Sequence, residues 1–336
     1  MPTFYKLVNE LSHNKNEEPI EFLKHFKNVL LYNAPGGKLI RLRTMVTAYK
    51  IMESPQNLTP ENMELAYILG WCIELLHSGV LINDDIIDAS THRRGVLCWY
   101  LLKGLYAIND ARLLENAIFK ILNIHFFHHL CYTATVELFH KALYKVYLGQ
   151  TLDTLRPSEE EKLSFADLYT FDKYYTLVTN KTIFCTSELP ILLALHLSNK
   201  YRPNSYKNIQ EILTQIGFFF QVQNDIDDYF SDVSKSGKDG TDIQEGKCTW
   251  LIVTALDKAT PTQKQILEEN YGKKDSESVR KVLELYKELK IIDMHYSFKN
   301  NFNIMISEGF QNISQDFPET FLPSITDIIC KSTFKK

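Results

Sequence analysis

Three aspartates and two arginines lie together in one short segment of the chain. Asp84 and Asp88 are four residues apart and would share one face of a helix, with Asp85 beside them. Clustered carboxylates repel one another unless a cation holds them, and Mg²⁺ is a hard cation that takes carboxylate and phosphate oxygens as ligands. Arg93 and Arg94 follow closely, and guanidinium groups suit bidentate phosphate contacts. The segment predicts a metal-bound diphosphate, although a solvated cluster at a helix end would have the same composition.

A second acidic segment has the same character. Asn224, Asp228 and Asp232 form a row along one helical face, and Asp225 lies next to the first of them. A surface patch at a helix end is the simpler explanation, but acids near a helix C-terminus oppose the helix dipole. The two acidic rows lie roughly 140 residues apart and could face each other across a helical bundle. Together they predict a cluster of Mg²⁺ ions held between two helices.

Several basic residues could complete a diphosphate site. Lys38 and Arg41 follow the Gly36–Gly37 turn at a predicted helix start, where backbone freedom and the helix dipole both favour anion binding. The pair Lys181–Thr182 lies at an interruption in a helical region, and Lys238 and Lys247 flank the segment Gly240–Gln244 in a polar loop. Each lysine alone is more typical of a solvated surface. Together they could surround a diphosphate that metal ions hold from the other side.

Helical periodicity dominates the chain, and alternating strand patterns are few. We therefore predict one all-α domain over residues 1–336. The predicted elements are helices over Glu21–Tyr32, Lys38–Glu53, Thr59 to the first acidic motif, Ala107–His129, Thr133–Leu155 and Ser205–Asp232, a loop over Ser90–Gly95, and paired helical segments within Phe165–Ser198.

Composition limits the classes of function. The chain is 45% hydrophobic, enough for a substantial core, and its net charge of -4 gives no indication of nucleic-acid binding. The six cysteines show neither a CxxC pair nor metal-finger spacing, which favours reduced thiols. The N-terminal segment lacks an apolar signal-peptide core, and no later stretch reaches about 18 uncharged apolar residues. We expect a cytoplasmic protein without stable membrane insertion.

A series of short motifs runs in order along nearly the whole chain. The motifs are Gly36-Gly37-Lys38, Gly70-Trp71-Cys72-Ile73-Glu74-Leu75-Leu76, Asp84-Asp85-Ile86-Ile87-Asp88, Arg93-Arg94-Gly95, Gly149-Gln150-Thr151-Leu152-Asp153, Lys181-Thr182, Phe220-Gln221-Val222-Gln223 and Gly240-Thr241-Asp242-Ile243-Gln244 through Lys247-Cys248-Thr249-Trp250. This series resembles the farnesyl diphosphate synthase-like family, the trans-isoprenyl diphosphate synthases. The resemblance implies the isoprenoid synthase fold, an α-helical bundle around a central cavity that is usually a homodimer. It also implies three Mg²⁺ ions that bind a prenyl diphosphate substrate.

The resemblance further implies roles for individual residues. The metal ligands would be Asp84, Asp88, Asp153 and Asp228, with Asn224 where the family's second motif begins with Asp, and with Asp85, Asp225 and Asp232 in the same two motifs. The residues for the allylic diphosphate would be Arg93, Lys181, Thr182, Gln221 and Lys238. The residues for a second substrate, isopentenyl diphosphate, would be Lys38, Arg41, His77 and Arg94. The metals and the cations Arg93, Lys181 and Lys238 would promote ionisation to an allylic carbocation in a dry pocket.

The second substrate site departs from the family pattern. Ile40 and Leu42 stand where the family usually carries Asn and Gly, and His77 replaces a Gln. An isoleucine beside a phosphate site supplies no hydrogen bond and hinders hydration, so anion binding should weaken. Lys38, Arg41 and Arg94 remain, so this site is degraded but not erased.

The metal row and the prenyl pocket depart as well. Asn224 removes one negative charge and is similar to the start of the metal triad of terpene cyclases, although neutral drift would give the same change. Gly79 and Val80 stand where farnesyl synthases carry bulky aromatic residues, so we predict that the floor of the pocket is removed. The aromatic residues that could steady a cation, or simply fill the core, are Phe184, Phe219, Phe220 and Tyr147.

These departures favour a Mg²⁺-dependent class I terpene synthase, similar to the insect enzymes derived from prenyl diphosphate synthases. Such an enzyme would ionise geranylgeranyl or farnesyl diphosphate to a carbocation that cyclises to a terpene hydrocarbon and releases diphosphate. One alternative is a chain-elongating prenyltransferase that makes farnesyl or geranylgeranyl diphosphate. Another is a weakened, non-catalytic partner subunit of such a synthase, against which the intact ionisation residues argue.

Overall fold

The computed structural model describes residues 1–13, 18–155, 163–230, 240–311 and 316–331. Helices make up most of the described chain, which confirms the predicted all-α class. The helices of the first half are α1 (Pro2–Ser12), α2 (Ile20–Asn33), α3 (Ile40–Met52), α4 (Pro60–Ile87), α5 (Trp99–Lys103), α6 (Tyr106–Phe126) and α7 (Tyr132–Thr154), with a 3₁₀ turn at Pro55–Asn57. Helices α1 and α5 lie outside the predicted elements.

Helix α4 is the central helix of the bundle and carries the first acidic motif at its C-terminal end. It begins where the Thr59 side chain accepts a hydrogen bond from the Asn62 amide and Pro60 occupies the first turn. One 18-residue window has a mean hydropathy of 1.7, so α4 is long and apolar enough to cross a membrane. Because 72% of that window is buried inside the bundle, its apolar character is accounted for by the core.

A short β-hairpin follows α4. Strands β1 (His92–Arg93) and β2 (Val96–Leu97) pair antiparallel, in the segment predicted as a loop. The two turn residues, Arg94 and Gly95, have φ of 56° and 80°. Such a two-residue turn needs positive φ at both positions, which is costly for a residue other than glycine. Arg94 therefore adopts a left-handed conformation that its side-chain contacts must stabilise.

The second half of the chain is also helical. Its helices are α8 (Phe165–Leu168), α9 (Phe171–Val178), α10 (Leu189–Leu197), α11 (Pro203–Tyr229), α12 (Trp250–Lys258), α13 (Pro261–Asn270), α14 (Ser276–Glu288), α15 (Ile291–Gln311) and α16 (Phe321–Lys331). A π-helix, Thr179–Glu188, joins α9 directly to α10. The predicted interruption at Lys181–Thr182 is this segment, and π-helical turns occur often at functional sites.

Two hydrophobic cores meet along α11. The larger core surrounds α4 and includes Ile216 and Phe219 of α11. The smaller core lies among α9, α12 and α14, and it includes Val222 and Ile226 from the last turns of α11. Helix α11 therefore passes from one core to the other, which holds the second acidic row at a defined position at its C-terminal end.

Candidate active site

Two lysines bridge three carboxylates, of which two lie at the C-terminal end of α4 and one lies on α7. The Lys181 Nζ of the π-helix lies 3.0 Å from an Asp84 oxygen on α4 and 2.7 Å from an Asp153 oxygen on α7. The Lys247 Nζ lies 2.6 Å from Asp88 and 2.9 Å from the same Asp153 oxygen. The structure thus brings three predicted metal ligands together. Lys247 was predicted only as one of several lysines that could surround a diphosphate, and its contacts with Asp88 and Asp153 were not predicted.

The charges of this cluster depend on one another. Burial opposes ionisation of Asp84, but the charges of Lys181 and Arg93 outweigh it and hold the pKa of Asp84 well below its ordinary value. Burial also opposes ionisation of Asp153, and the two lysines again lower its pKa. The pKa of Asp88, in contrast, is raised by burial and by the neighbouring charge of Asp84. The two lysines therefore do not fully neutralise the Asp88 carboxylate, so the cluster favours a further cation.

Arg93 holds the first acidic motif from the other side. Its Nε donates to Asp85 at 2.8 Å, and a terminal nitrogen lies 3.4 Å from Asp84. Asp85 is only 3% exposed, and burial raises its pKa although Arg93 opposes the rise. This placement makes Asp85 the ion-pair partner of Arg93 and does not bring it together with Asp88 and Asp153.

The second acidic row lies at the end of α11. Asn224 and Asp228 are one turn apart and half-buried, and the Asp242 amide donates to an Asp228 oxygen at 3.3 Å. The segment from Gly240 to Lys247 therefore contacts both acidic rows. Asp232 and Lys238, which we predicted as a metal ligand and a substrate cation, lie outside the described residues.

Asp225 does not face this row and instead belongs to the core. Its oxygens accept hydrogen bonds from the Tyr174 hydroxyl at 2.7 Å, the Trp250 amide at 2.8 Å and the Gln221 side chain at 2.8 Å. Burial raises the pKa of Asp225 to about 6 although all three donors oppose the rise. The predicted role of Asp225 as a metal ligand is therefore wrong, because its carboxylate is already used to join α11 to α9 and α12.

Gln221 and Thr182 are joined directly. The Thr182 hydroxyl donates to the Gln221 side-chain oxygen at 2.7 Å, so the π-helix and α11 are linked beside Lys181. Of the predicted cation-stabilising aromatics, Phe184, Phe219 and Phe220 are at most 6% exposed and belong to the larger core. Their alternative interpretation as core residues agrees with the structure.

The carboxylates of the first row suit Mg²⁺. Within the described ranges, no three acidic, histidine or cysteine side chains converge into a preformed metal site. The lysine ammonium groups instead contact the oxygens of Asp84, Asp88 and Asp153, which are the hard ligands that Mg²⁺ prefers. These three residues would hold the ion, with Asn224 and Asp228 as further oxygen ligands.

A second group of cationic side chains, Arg41 and Arg94, lies around His77 and is called the second pocket below. Arg41 donates to the Thr186 hydroxyl at 2.9 Å, while its Nε is buried and has no hydrogen-bond partner among the described residues. Burial, followed by the charges of Arg41, Arg94 and Arg93, lowers the pKa of His77 well below its ordinary value. The charges of Arg41 and Arg94 face one buried carboxylate, that of Glu74, which leaves one positive charge for an anion to neutralise.

Arg94 and the Gly36–Gly37 turn are packed together at this pocket. A Cβ on Gly37 would lie only 3.0 Å from the Arg94 Nε, so glycine is required for the close approach. The Arg94 guanidinium donates to the last carbonyls of α2, those of Asn33, Ala34 and Pro35, at 2.6 to 3.2 Å. These bonds compensate for the left-handed backbone of Arg94. Lys38 is exposed. Burial raises the pKa of Asp227, and the nearby charge of Lys38 opposes that rise.

Ile40 and Leu42 do not line the second pocket. Both are less than 9% exposed and belong to the larger core, and a Cβ on Gly70 would lie 2.8 Å from the Leu42 Cγ. The Leu42 amide donates to the buried Glu74 carboxylate at 3.1 Å, which caps the start of α3. The first turn of α3 therefore directs Ile40 and Leu42 into the larger core, and their effect on anion binding stays a prediction.

The space beside Gly79 is also filled. A Cβ there would lie 3.0 Å from the Ala111 carbonyl oxygen and 3.2 Å from the Glu115 Cγ, both on α6. Val80 is half-buried against the larger core. Helix α6 therefore packs closely against α4 at Gly79, and the effect of Gly79 and Val80 on the depth of the prenyl pocket stays a prediction.

Comparison with known proteins agrees with the fold and these motifs. The family model for polyprenyl synthetase matches residues 23–289. The farnesyl pyrophosphate synthase of Rattus norvegicus is 38% identical over 327 residues, which cover 96% of this chain and 91% of the relative. The farnesyl pyrophosphate synthase of Schizosaccharomyces pombe is 42% identical over 277 residues, which cover 81% of this chain and 78% of the relative. The structure of T. brucei farnesyl diphosphate synthase complexed with risedronate is similar with a TM-score of 0.89 and 27% identity, over 100% of this chain and 97% of that one. The resemblance is confirmed, and the chain belongs to the polyprenyl synthetase family of all-α prenyl diphosphate-binding enzymes.

Proposed function

We propose that this protein is a Mg²⁺-dependent prenyltransferase that joins isopentenyl diphosphate to an allylic prenyl diphosphate. The observation that carries the proposal is the presence of two separate groups of cationic side chains. Lys181 and Lys247 lie among the carboxylates of the first acidic row, while Arg41 and Arg94 act on His77 in the second pocket. A condensing enzyme needs two diphosphate sites, whereas an enzyme that only ionises and cyclises one substrate needs one.

In the proposed reaction, the allylic C–O bond breaks and the departing diphosphate keeps the electron pair. The double bond of isopentenyl diphosphate supplies the electrons for the new C–C bond, and transfer of a proton to the departed diphosphate restores an alkene. Lys181 and Lys247 would bind the departing diphosphate, and Arg41 and Arg94 would hold the second substrate in place. Mg²⁺, which prenyl synthetases of this family use, would neutralise the charge that develops on the departing diphosphate.

The terpene synthase interpretation loses much of its support. It depended on Ile40, Leu42 and Gly79, and all three are accounted for by packing in the core. His77 and Asn224 remain as departures that favour it. The relatives described above are named farnesyl pyrophosphate synthases, which supports the condensing reaction and gives no support to cyclisation.

We also propose that a second copy of the chain covers the apolar surface of α5 to α7. Leu105, Tyr106 and Tyr144 are each more than 70% exposed, and such large exposed apolar side chains are typical of protein interfaces. The proposal of a homodimer is tested by light scattering at micromolar concentration. A cytoplasmic location remains part of the proposal.

One substrate assay separates the two reactions. Purified protein with Mg²⁺ is incubated with dimethylallyl, geranyl or farnesyl diphosphate, each with and without isopentenyl diphosphate. We expect elongated diphosphates only when isopentenyl diphosphate is present, and no product from the matched Asp84→Asn variant. Hydrocarbon formed from a single prenyl diphosphate would refute the condensing reaction and restore the terpene synthase interpretation.

A further inference from the structure

A partly buried polar link joins α4, α6 and α7 below the first acidic motif. The Tyr147 hydroxyl of α7 donates a short hydrogen bond to Glu115 of α6, and the Asn83 side chain of α4 donates to the Tyr147 oxygen at 3.2 Å. Arg112 donates to the other Glu115 oxygen at 2.8 Å, and its guanidinium lies 4.6 Å from the centre of the Tyr147 ring. Glu115 is only 5% exposed. Each polar group of the link therefore has a partner.

The depth of this link below the diphosphate site follows from helix geometry. Tyr147 precedes Asp153 by six residues on α7, a distance of about 9 Å along the helix. Gly79 precedes Asp84 by five residues on α4, a distance of about 7.5 Å. A prenyl chain that runs inward from Asp84 and Asp153 between these two helices would therefore meet the level of Tyr147 and Gly79 together.

At this level, α4 supplies no bulky side chain and the other two helices fill the space. Gly79 has the Ala111 carbonyl and Glu115 directly against it, so α6 occupies the place of an aromatic side chain. Tyr147 contributes a large side chain near this depth, and its hydroxyl is hydrogen-bonded to both Asn83 and Glu115. The end of an apolar chain would have to separate the Tyr147 hydroxyl from the buried Glu115 carboxylate in order to pass, and a buried polar group without a partner is costly.

We propose that Tyr147, held by Glu115 and Asn83, forms the floor of the prenyl cavity and limits the length of prenyl diphosphate that the protein accepts. This proposal deepens the proposed function and rests on it, because the ligand is the allylic substrate of that reaction. The length limit therefore comes from α7 and α6, whereas the family's pattern of aromatic residues on α4 is lost at Gly79 and Val80.

The test measures binding, which does not require condensation. Affinities of geranyl, farnesyl and geranylgeranyl diphosphate are measured by calorimetry with Mg²⁺ for the wild type, Tyr147→Ala, Tyr147→Phe and the control Tyr296→Ala, whose residue is 59% exposed on α15. We expect wild-type affinity to drop at one chain length. Tyr147→Ala should bind that first excluded substrate roughly tenfold more tightly, a difference of about 1.4 kcal/mol, because more apolar surface is buried. Shorter substrates should change by less than about threefold.

The other variants separate the floor from a general disturbance. Tyr147→Phe keeps the ring and should keep the wild-type limit, and the control Tyr296→Ala should do so as well. Tyr147→Leu replaces Tyr147→Ala if the latter does not fold, with the same expected direction. An unchanged length limit in the small variants, or equal wild-type affinity for all three substrates, would overturn the proposal. Absence of any binding would instead refute the proposed function. Binding without condensation would refute only the condensing reaction, because the binding measurements would still decide whether Tyr147 sets the length limit.

Discussion

Gly149 is the position where one added methyl group should do most damage. Helix α7 and the π-helix approach so closely there that a Cβ would lie 2.3 Å from the Lys181 amide nitrogen and 2.6 Å from the Lys181 Cα. Both are backbone atoms and cannot rotate away. Since ordinary van der Waals contact begins at 3.4 Å, Gly149→Ala must move the π-helix or α7 by 3.4 − 2.3 = 1.1 Å.

Two energetic effects of Gly149→Ala oppose each other. Overpacking in a well-packed core costs about 1–3 kcal/mol, and the upper end applies because backbone atoms must move. Alanine in a helix is more favourable than glycine by about 1 kcal/mol. We therefore expect a loss of about 2 kcal/mol in the free energy of unfolding. The same movement displaces Lys181 from Asp84 and Asp153, and a displacement of about 1 Å can reduce kcat/KM by about 100-fold.

Urea denaturation and condensation kinetics measure these two effects. Gly309→Ala is the matched control, because its Cβ would lie 3.1 Å from the end of the Ile212 side chain, which can move. We expect the control to stay within about 0.5 kcal/mol of the wild type and to keep its activity. A Gly149→Ala protein with wild-type stability and kcat/KM would refute the inferred close packing of α7 on the π-helix.

Two further variants test the electrostatics of the site. Lys247→Met leaves Asp88 and Asp153 without a shared cation. Urea denaturation in EDTA should therefore show a loss of about 3 kcal/mol in the free energy of unfolding, and Mg²⁺ should partly restore it. An equal loss with and without Mg²⁺ would contradict this expectation. Burial and the charges of Arg41 and Arg94 lower the pKa of His77 in the folded protein below its ordinary value of 6.5. The unfolded chain therefore binds a proton at His77 that the folded protein does not bind. The wild type should lose stability relative to His77→Gln as the pH falls below 6.5. Parallel stability curves of the two proteins from pH 8 to pH 5 would show that His77 is not neutral in the folded protein.

The sequence alone determined the elements and the chemical types of the site. Helical periodicity predicts α2, α3, α4, α6 and α7 to within about three residues at the ends that were specified, because a 3.6-residue repeat is a local property. The spacing of Asp84 and Asp88 places them on one face for the same reason. The interruption at Lys181 was also visible, although its π-helical form was not.

The tertiary structure decided which of these side chains share a site. Asp225 differs from Asp228 only in its position around α11, and packing against α9 and α12 directs it into the core. Lys247 reaches Asp88 and Asp153 from a distant loop, which no local pattern can reveal. A glycine in a sequence shows that room exists for a neighbour, but only the packing of α6 on α4 shows that Glu115 occupies the room beside Gly79. Local periodicity fixes the direction of a side chain relative to its own helix, whereas its partner depends on how the helices pack.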